Sequence, residues 1–100
     1  MRRLCEVVSV LPDAPVAVSV EGFPPLAVYR VDDEYFVTDN VCTHGEAILT
    51  EGYQEGAAIE GPFHHGTFDI RTGKATHFPC TTPIKTYPVA VEDGWVCIRN

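Results

Sequence analysis

The sequence predicts an all-β fold, a small barrel or sandwich, and sets its chemistry in two loops. Three observations carry this. Short β-type runs recur along the chain, each bounded by turn residues. Eight prolines and eight glycines are spread through 100 residues, which suits many turns and no long helix. No stretch holds a helical apolar period, and there are no internal repeats or low-complexity segments.

The runs follow in order. Val7-Val8-Ser9-Val10 is the expected first strand, and Val16 to Val20 alternates apolar and small residues until Gly22 breaks it. Leu26 to Val31 and Tyr35 to Thr38 flank Asp32-Asp33-Glu34, a hairpin pattern. Ala57 to Glu60 and Thr67 to Ile70 are two more runs, the latter ending in the turn Arg71-Thr72-Gly73-Lys74. Thr86 to Val91 and Trp95 to Ile98 flank Asp93-Gly94, the strongest short hairpin signal, because both central residues of such a turn need positive φ. Two segments fit poorly as strands, Asn40 to Gln54 and Gly61 to Gly66. Both contain histidine and glycine, so the chemistry is expected there.

Composition narrows the function. Seven basic residues against fourteen acidic ones give a formal charge of −7. This argues against nucleic acid as a partner, since its phosphates need a basic footprint. Docking onto basic patches of partner proteins is compatible with this charge, and so is a plain role in solubility. No apolar run approaches the roughly 20 residues that span a bilayer, so no membrane role is expected. Met1-Arg2-Arg3-Leu4-Cys5-Glu6 lacks the apolar stretch of a signal peptide, and a cytoplasmic protein is expected. In that compartment Cys5, Cys42, Cys80 and Cys97 are buried thiols or metal ligands and not disulfides. Only Cys42 has a metal-like context.

The first loop reads Cys42-Thr43-His44-Gly45, the second Gly61-Pro62-Phe63-His64-His65-Gly66-Thr67-Phe68-Asp69. Cys-x-His places a thiolate and an imidazole close together on one turn. Pro62 stiffens the second turn, and Gly45 and Gly66 let backbone approach whatever the loops enclose. Thiolate and imidazole together suit zinc or an iron–sulfur centre. Sixteen residues separate His44 from Gly61. Further boxes lie at Thr38-Asp39-Asn40, Arg71-Thr72-Gly73-Lys74-Ala75 and Ile84-Lys85-Thr86-Tyr87-Pro88-Val89.

With these boxes in order, nearly the whole chain resembles the Rieske ferredoxins of bacterial aromatic-ring-hydroxylating dioxygenase systems. The resemblance implies a Rieske-type small barrel or sandwich with a cluster-binding subdomain of two loops, 42–49 and 61–68. It implies that residues 1–100 form a single such domain. It further implies a 2Fe–2S cluster and a carrier, not an enzyme, passing single electrons from a flavin-dependent ferredoxin reductase to a terminal oxygenase. In such centres two cysteines bind one iron and two histidines the other. Carried over by position, His44 and His64 are the imidazole ligands and Cys42 is one thiolate. The other thiolate belongs at residue 61, which is glycine and has no side chain to donate.

Three explanations of Gly61 stand open: a variant site with a weakened or absent cluster, a substitute ligand, or a cluster-free relative. The substitute is water, hydroxide, a small thiol or Cys80, which follows Pro79 in a loop that the resemblance sets near the cluster. His65 matches no family ligand and reads as a solvated loop residue; His77 reads as surface. Phe63 and Pro79 would ring the exposed histidine side, Phe63 either as a lid or as a docking contact.

Respiratory-chain Rieske proteins have an extra loop disulfide and hydroxyls near the cluster. The matching positions here are Ala47 and Phe63, and Gly66 and Phe68. This implies the low-potential ferredoxin branch. Nothing resembles a catalytic triad, a phosphate-binding glycine loop or a mononuclear iron triad. Two other classes remain: a cluster-free Rieske-fold interaction module, as in some small subunits of nitrite reductase, and a zinc site built on Cys42, His44 and His64.

Overall fold

The computed structural model describes residues 1–43, 47–62, 66–78 and 80–99. Among them the chain forms strands β1 (Arg2–Glu6), β2 (Val16–Val18), β3 (Leu26–Val31), β4 (Glu34–Asp39), β5 (Tyr53–Glu55), β6 (Ala58–Glu60), β7 (Thr67–Asp69), β8 (Ala75–His77), β9 (Thr86–Tyr87), β10 (Val89–Glu92) and β11 (Trp95–Ile98). The helical content among the described residues is two single 3-10 turns, Val7–Ser9 and Leu49–Glu51. Among the described residues no helix is long and apolar enough to cross a membrane.

The strands build three antiparallel sheets, ordered β1-β11-β10, β2-β3-β4-β9 and β5-β6-β7-β8. β3 explains how they stack. Side chains alternate across a strand, and both faces of β3 are covered. Leu26 and Val28 enter one apolar cluster with Leu4, Val10, Val37, Val96 and Ile98. Ala27, Tyr29 and Val31 enter a second, with Leu49, Ile59, Phe68, Ile70 and Ile84. The nearly unbroken apolar run Leu26-Ala27-Val28-Tyr29 is thus a strand buried on both sides. The second cluster also holds Cys42, Ala47 and Cys80, and so forms the floor of the two loops.

Both expected hairpins are present. β3 and β4 pair from Leu26↔Asp39 to Val31↔Glu34, leaving Asp32-Asp33 as the turn. β10 and β11 close at Glu92↔Trp95, and Asp93 and Gly94 both have positive φ, 53° and 79°.

Two expectations need correction. Val7 to Val10 is not the first strand: β1 ends at Glu6 and Val7–Ser9 is a 3-10 turn. β1 pairs with β11 as far as Glu6↔Trp95, where β11 begins, so no further strand is available to pair with. The Val7 amide donates to the Gly94 carbonyl at 2.9 Å, and the Val10 amide turns back onto Val7 at 3.1 Å. The run from Thr86 is likewise two strands. Pro88 has no N–H for a ladder, and it separates β9, paired with β4, from β10, paired with β11 in another sheet. β5, inside a segment read as non-strand, and β8 carry little alternation and complete the sheet that frames the second loop.

Candidate metal centre

The two loops are built alike. The first leaves β4 and closes through an antiparallel bridge, Val41↔Ile48, then a rung in which the Cys42 amide donates to the Ala47 carbonyl at 2.8 Å. The second joins β6 to β7 through Glu60↔Thr67, then a rung in which the Gly61 amide donates to the Gly66 carbonyl at 3.0 Å. Each rung spans four residues, 43–46 and 62–65. Gly61 is therefore the structural counterpart of Cys42 by hydrogen bonding as well as by motif.

The flanking boxes brace the bases of these loops. Buried Asn40 accepts from the Thr50 amide at 2.9 Å and donates to the Thr50 hydroxyl at 3.0 Å, while its carbonyl accepts from Leu49 at 2.8 Å. Buried Thr38 shares a hydroxyl contact with Tyr29 at 2.9 Å. The turn at Gly73 packs beneath the segment that follows β8: the Ile84 amide donates to the Gly73 carbonyl at 2.8 Å. A Cβ on Gly73 would lie 2.3 Å from the Ile84 carbonyl oxygen, so this close approach needs glycine. The first loop and the 80s segment are tied by the Thr43 hydroxyl, which donates to the Thr82 carbonyl at 2.7 Å.

At this junction two sulfurs meet. Cys42 and Cys80 are buried, 8% and 6% exposed, with Sγ atoms 3.9 Å apart. The Cys80 amide is anchored on the His77 carbonyl at 3.1 Å. Burial first, then the charge and hydrogen bond of Cys42, push the Cys80 thiol up to about 11. Metal binding has to displace that proton.

Of the expected ligands, Cys42 lies in this buried floor, and Gly61 sits buried on the facing rung. His44 and His64 lie outside the described residues, as do Gly45, Glu46, Phe63, His65 and Pro79. Among the described residues no three His, Cys, Asp or Glu side chains come together. His77 stands exposed on β8, its Nδ1 2.7 Å from the Thr67 hydroxyl. Cys5, whose thiol is pushed up by burial, packs against the cluster beneath β1. Cys97 is buried in β11, and the four cysteines are unbridged. Phe68 is a fully buried member of the floor.

The donors suit an iron–sulfur centre in kind, since a buried thiol pair is what the cysteine-bound iron of a Rieske centre uses. They do not suit it at residue 61. There the backbone is ready but empty: a Cβ on Gly61 would meet, among the described residues, only the Gly66 oxygen at 3.9 Å. Sequence reasoning missed Phe78, which is 86% exposed two residues before Cys80; its only signal was an aromatic beside Pro79.

Comparison with known proteins agrees with this geometry. The model of the Rieske [2Fe-2S] domain matches residues 2–88. The ferredoxin component of the naphthalene 1,2-dioxygenase system of Pseudomonas putida is 52% identical over 83 residues, covering 83% of this chain and 79% of its own. The ferredoxin of Sphingomonas yanoikuyae B1 superposes with a TM-score of 0.96 at 65% identity, covering 98% of this chain and 96% of its own. A chain from the complex of reduced oxygenase and oxidized ferredoxin in carbazole 1,9a-dioxygenase superposes with a TM-score of 0.90 at 41% identity, covering 96% and 89%.

Proposed function

The chain belongs to the Rieske [2Fe-2S] domain family, and from this we propose that it is the ferredoxin of an aromatic-ring-hydroxylating dioxygenase system, carrying single electrons from a flavin-dependent reductase to the terminal oxygenase. The observation that carries this reading is the likeness to ferredoxin components over nearly the full chain. The carrier itself does not catalyse the ring chemistry. It works in the cytoplasm, and residues 1–100 act as one domain.

When bound, a 2Fe–2S cluster accepts and releases one electron at a time. Cys42, His44 and His64 are the proposed protein ligands at the family positions. Cys42 gives up its thiol proton on binding metal. The apolar floor of Ala47, Leu49, Phe68 and Ile84 keeps water from the sulfur side. Gly66 and Phe68 offer no hydroxyl to cluster sulfur, which supports a potential toward the low end of such centres, about −150 mV. Exposed Phe78, with Val41 at the base of the first loop, offers apolar contact to a partner. The −7 charge steers encounter toward a basic docking face.

The test is iron and acid-labile sulfide per chain, with a visible spectrum and a reversible one-electron reduction. Delivery of electrons from a dioxygenase reductase to its oxygenase is expected. A folded protein with neither iron nor sulfide, which also fails to take them up as Gly61→Cys, would make the chain a cluster-free interaction module.

A further inference from the structure

We propose that Cys80 supplies the second thiolate of the centre, in place of the residue missing at 61. The inference rests on the reading of the chain as a cluster-binding ferredoxin. Four observations converge on it.

The first is distance. Two thiolates on one tetrahedral metal, each about 2.3 Å from it, have sulfurs about 3.8 Å apart. Cys42 and Cys80 stand at 3.9 Å. That is nearly twice the length of a disulfide bond, about 2.05 Å, and it matches the edge of a thiolate coordination tetrahedron. The second is position. Both cysteines belong to the apolar cluster that floors the two loops, whereas Cys97 lies in β11 and Cys5 packs under β1.

The third is support. A ligand must be held by its own backbone, and the Cys80 segment is fixed at three points: its amide on His77, Thr82 on the Thr43 hydroxyl, and Ile84 on Gly73. The Thr43–Thr82 bond joins the residue beside Cys42 to the segment carrying Cys80, so the two sulfurs are presented as a pair. The fourth is space. Apart from its chain neighbours, the one described atom within 4 Å of the Cβ position at Gly61 is the Gly66 oxygen, so among the described residues no side chain fills the missing ligand's place.

The chemistry is ligand exchange without oxidation. On binding, the Cys80 thiol would release its proton to water and its sulfur would take the iron position that residue 61 cannot fill, displacing any water or hydroxide held there. Cys80 would then be a metal-binding residue for which the family pattern has no place.

The experiment compares the full chain with Cys80→Ala, Gly61→Cys and the Gly61→Cys/Cys80→Ala double variant, each reconstituted anaerobically with ferrous iron and sulfide. Iron and sulfide content, the visible spectrum and intact mass are the readouts. The native chain is expected to hold its cluster, Cys80→Ala to lose it by about tenfold or more, and the double variant to regain it, which shows that Cys80→Ala spares the fold. Cys80→Ser, retaining a cluster with altered sulfur-to-iron absorption, would give further support. Cys80→Ala that keeps a full cluster with an unchanged spectrum would overturn the proposal. So would a native chain that stays metal-free while Gly61→Cys loads, or a native chain isolated with Cys42 and Cys80 joined as a disulfide. If even Gly61→Cys takes up nothing, the ferredoxin reading itself fails, and this inference fails with it.

Discussion

Tyr87 donates its phenolic hydroxyl to the Asp39 carboxylate at 2.5 Å, tying β9 to the end of β4, three residues before Cys42 opens the first loop. Burial first, then the hydrogen bond and charge of Asp39, raise the Tyr87 hydroxyl above its ordinary value. A folded-state value above the unfolded one means that this stabilisation is complete below about pH 10 and is lost as pH rises beyond it. Tyr87→Phe is expected to cost about 1–2 kcal/mol at neutral pH. It should also flatten the alkaline fall in stability by up to about 1.4 kcal/mol per pH unit. Denaturant unfolding from pH 8 upward checks this; equal alkaline slopes in the two proteins would reject it.

Gly61→Cys is expected to fold as the native chain does. Its φ lies outside the left-handed region that favours glycine, and its Cβ would meet only ordinary contact among the described residues. The unfolding free energy of the metal-free variant should stay within about 0.5 kcal/mol of the native value. Once reconstituted, it should hold its cluster longer against air and chelator, because residue 61 then adds a thiolate on the loop rung to those of Cys42 and Cys80. The half-life of the visible absorbance under a chelator measures this, and a variant no longer-lived than the native chain would contradict it.

Residue 61 is legible in the amino-acid sequence, because Pro62, Gly66 and the spacing to Cys42 mark its place. The Asp93-Gly94 hairpin and the doubly buried run at Leu26 are also readable, since each is a local pattern with one backbone solution. The Val7 run misleads because β propensity counts only where a partner strand exists, and β11 starts at Trp95. Pro88 is visible, but the change of sheet across it depends on pairing with β4, far away in sequence. The contact between Cys42 and Cys80 joins residues 38 apart, and no periodicity announces such a contact. The place of the two loops is therefore readable from motif, while the floor beneath them emerges only from the packing of distant segments.

Two glycines should respond very differently to alanine. A Cβ on Gly52 would fall 1.9 Å from the Glu60 carbonyl oxygen, where backbone cannot easily yield. Gly56 has φ of 58° and open space around its Cβ position. Gly52→Ala is expected to cost about 3 kcal/mol or more, and Gly56→Ala only about 1 kcal/mol, the cost of a left-handed conformation. Equilibrium unfolding of the two variants decides; similar losses would mean that the backbone beside the second loop relaxes more than its geometry suggests.

Charge steering should show in salt dependence. Exposed charges are screened beyond about 8–10 Å at physiological ionic strength. Electron transfer to a partner with a basic docking face should therefore slow as salt rises from low to high. Stopped-flow rates that stay flat across that range would assign docking to apolar contacts such as Phe78.

Because each loop closes on its own backbone rung, the side chain at the ligand position is uncoupled from the making of the scaffold. A glycine or a cysteine at 61 would leave the same apolar core buried, so chaperones and proteases that read exposed core would treat the two chains alike. Substitution at the ligand position would alter what the centre holds without altering how long the chain survives.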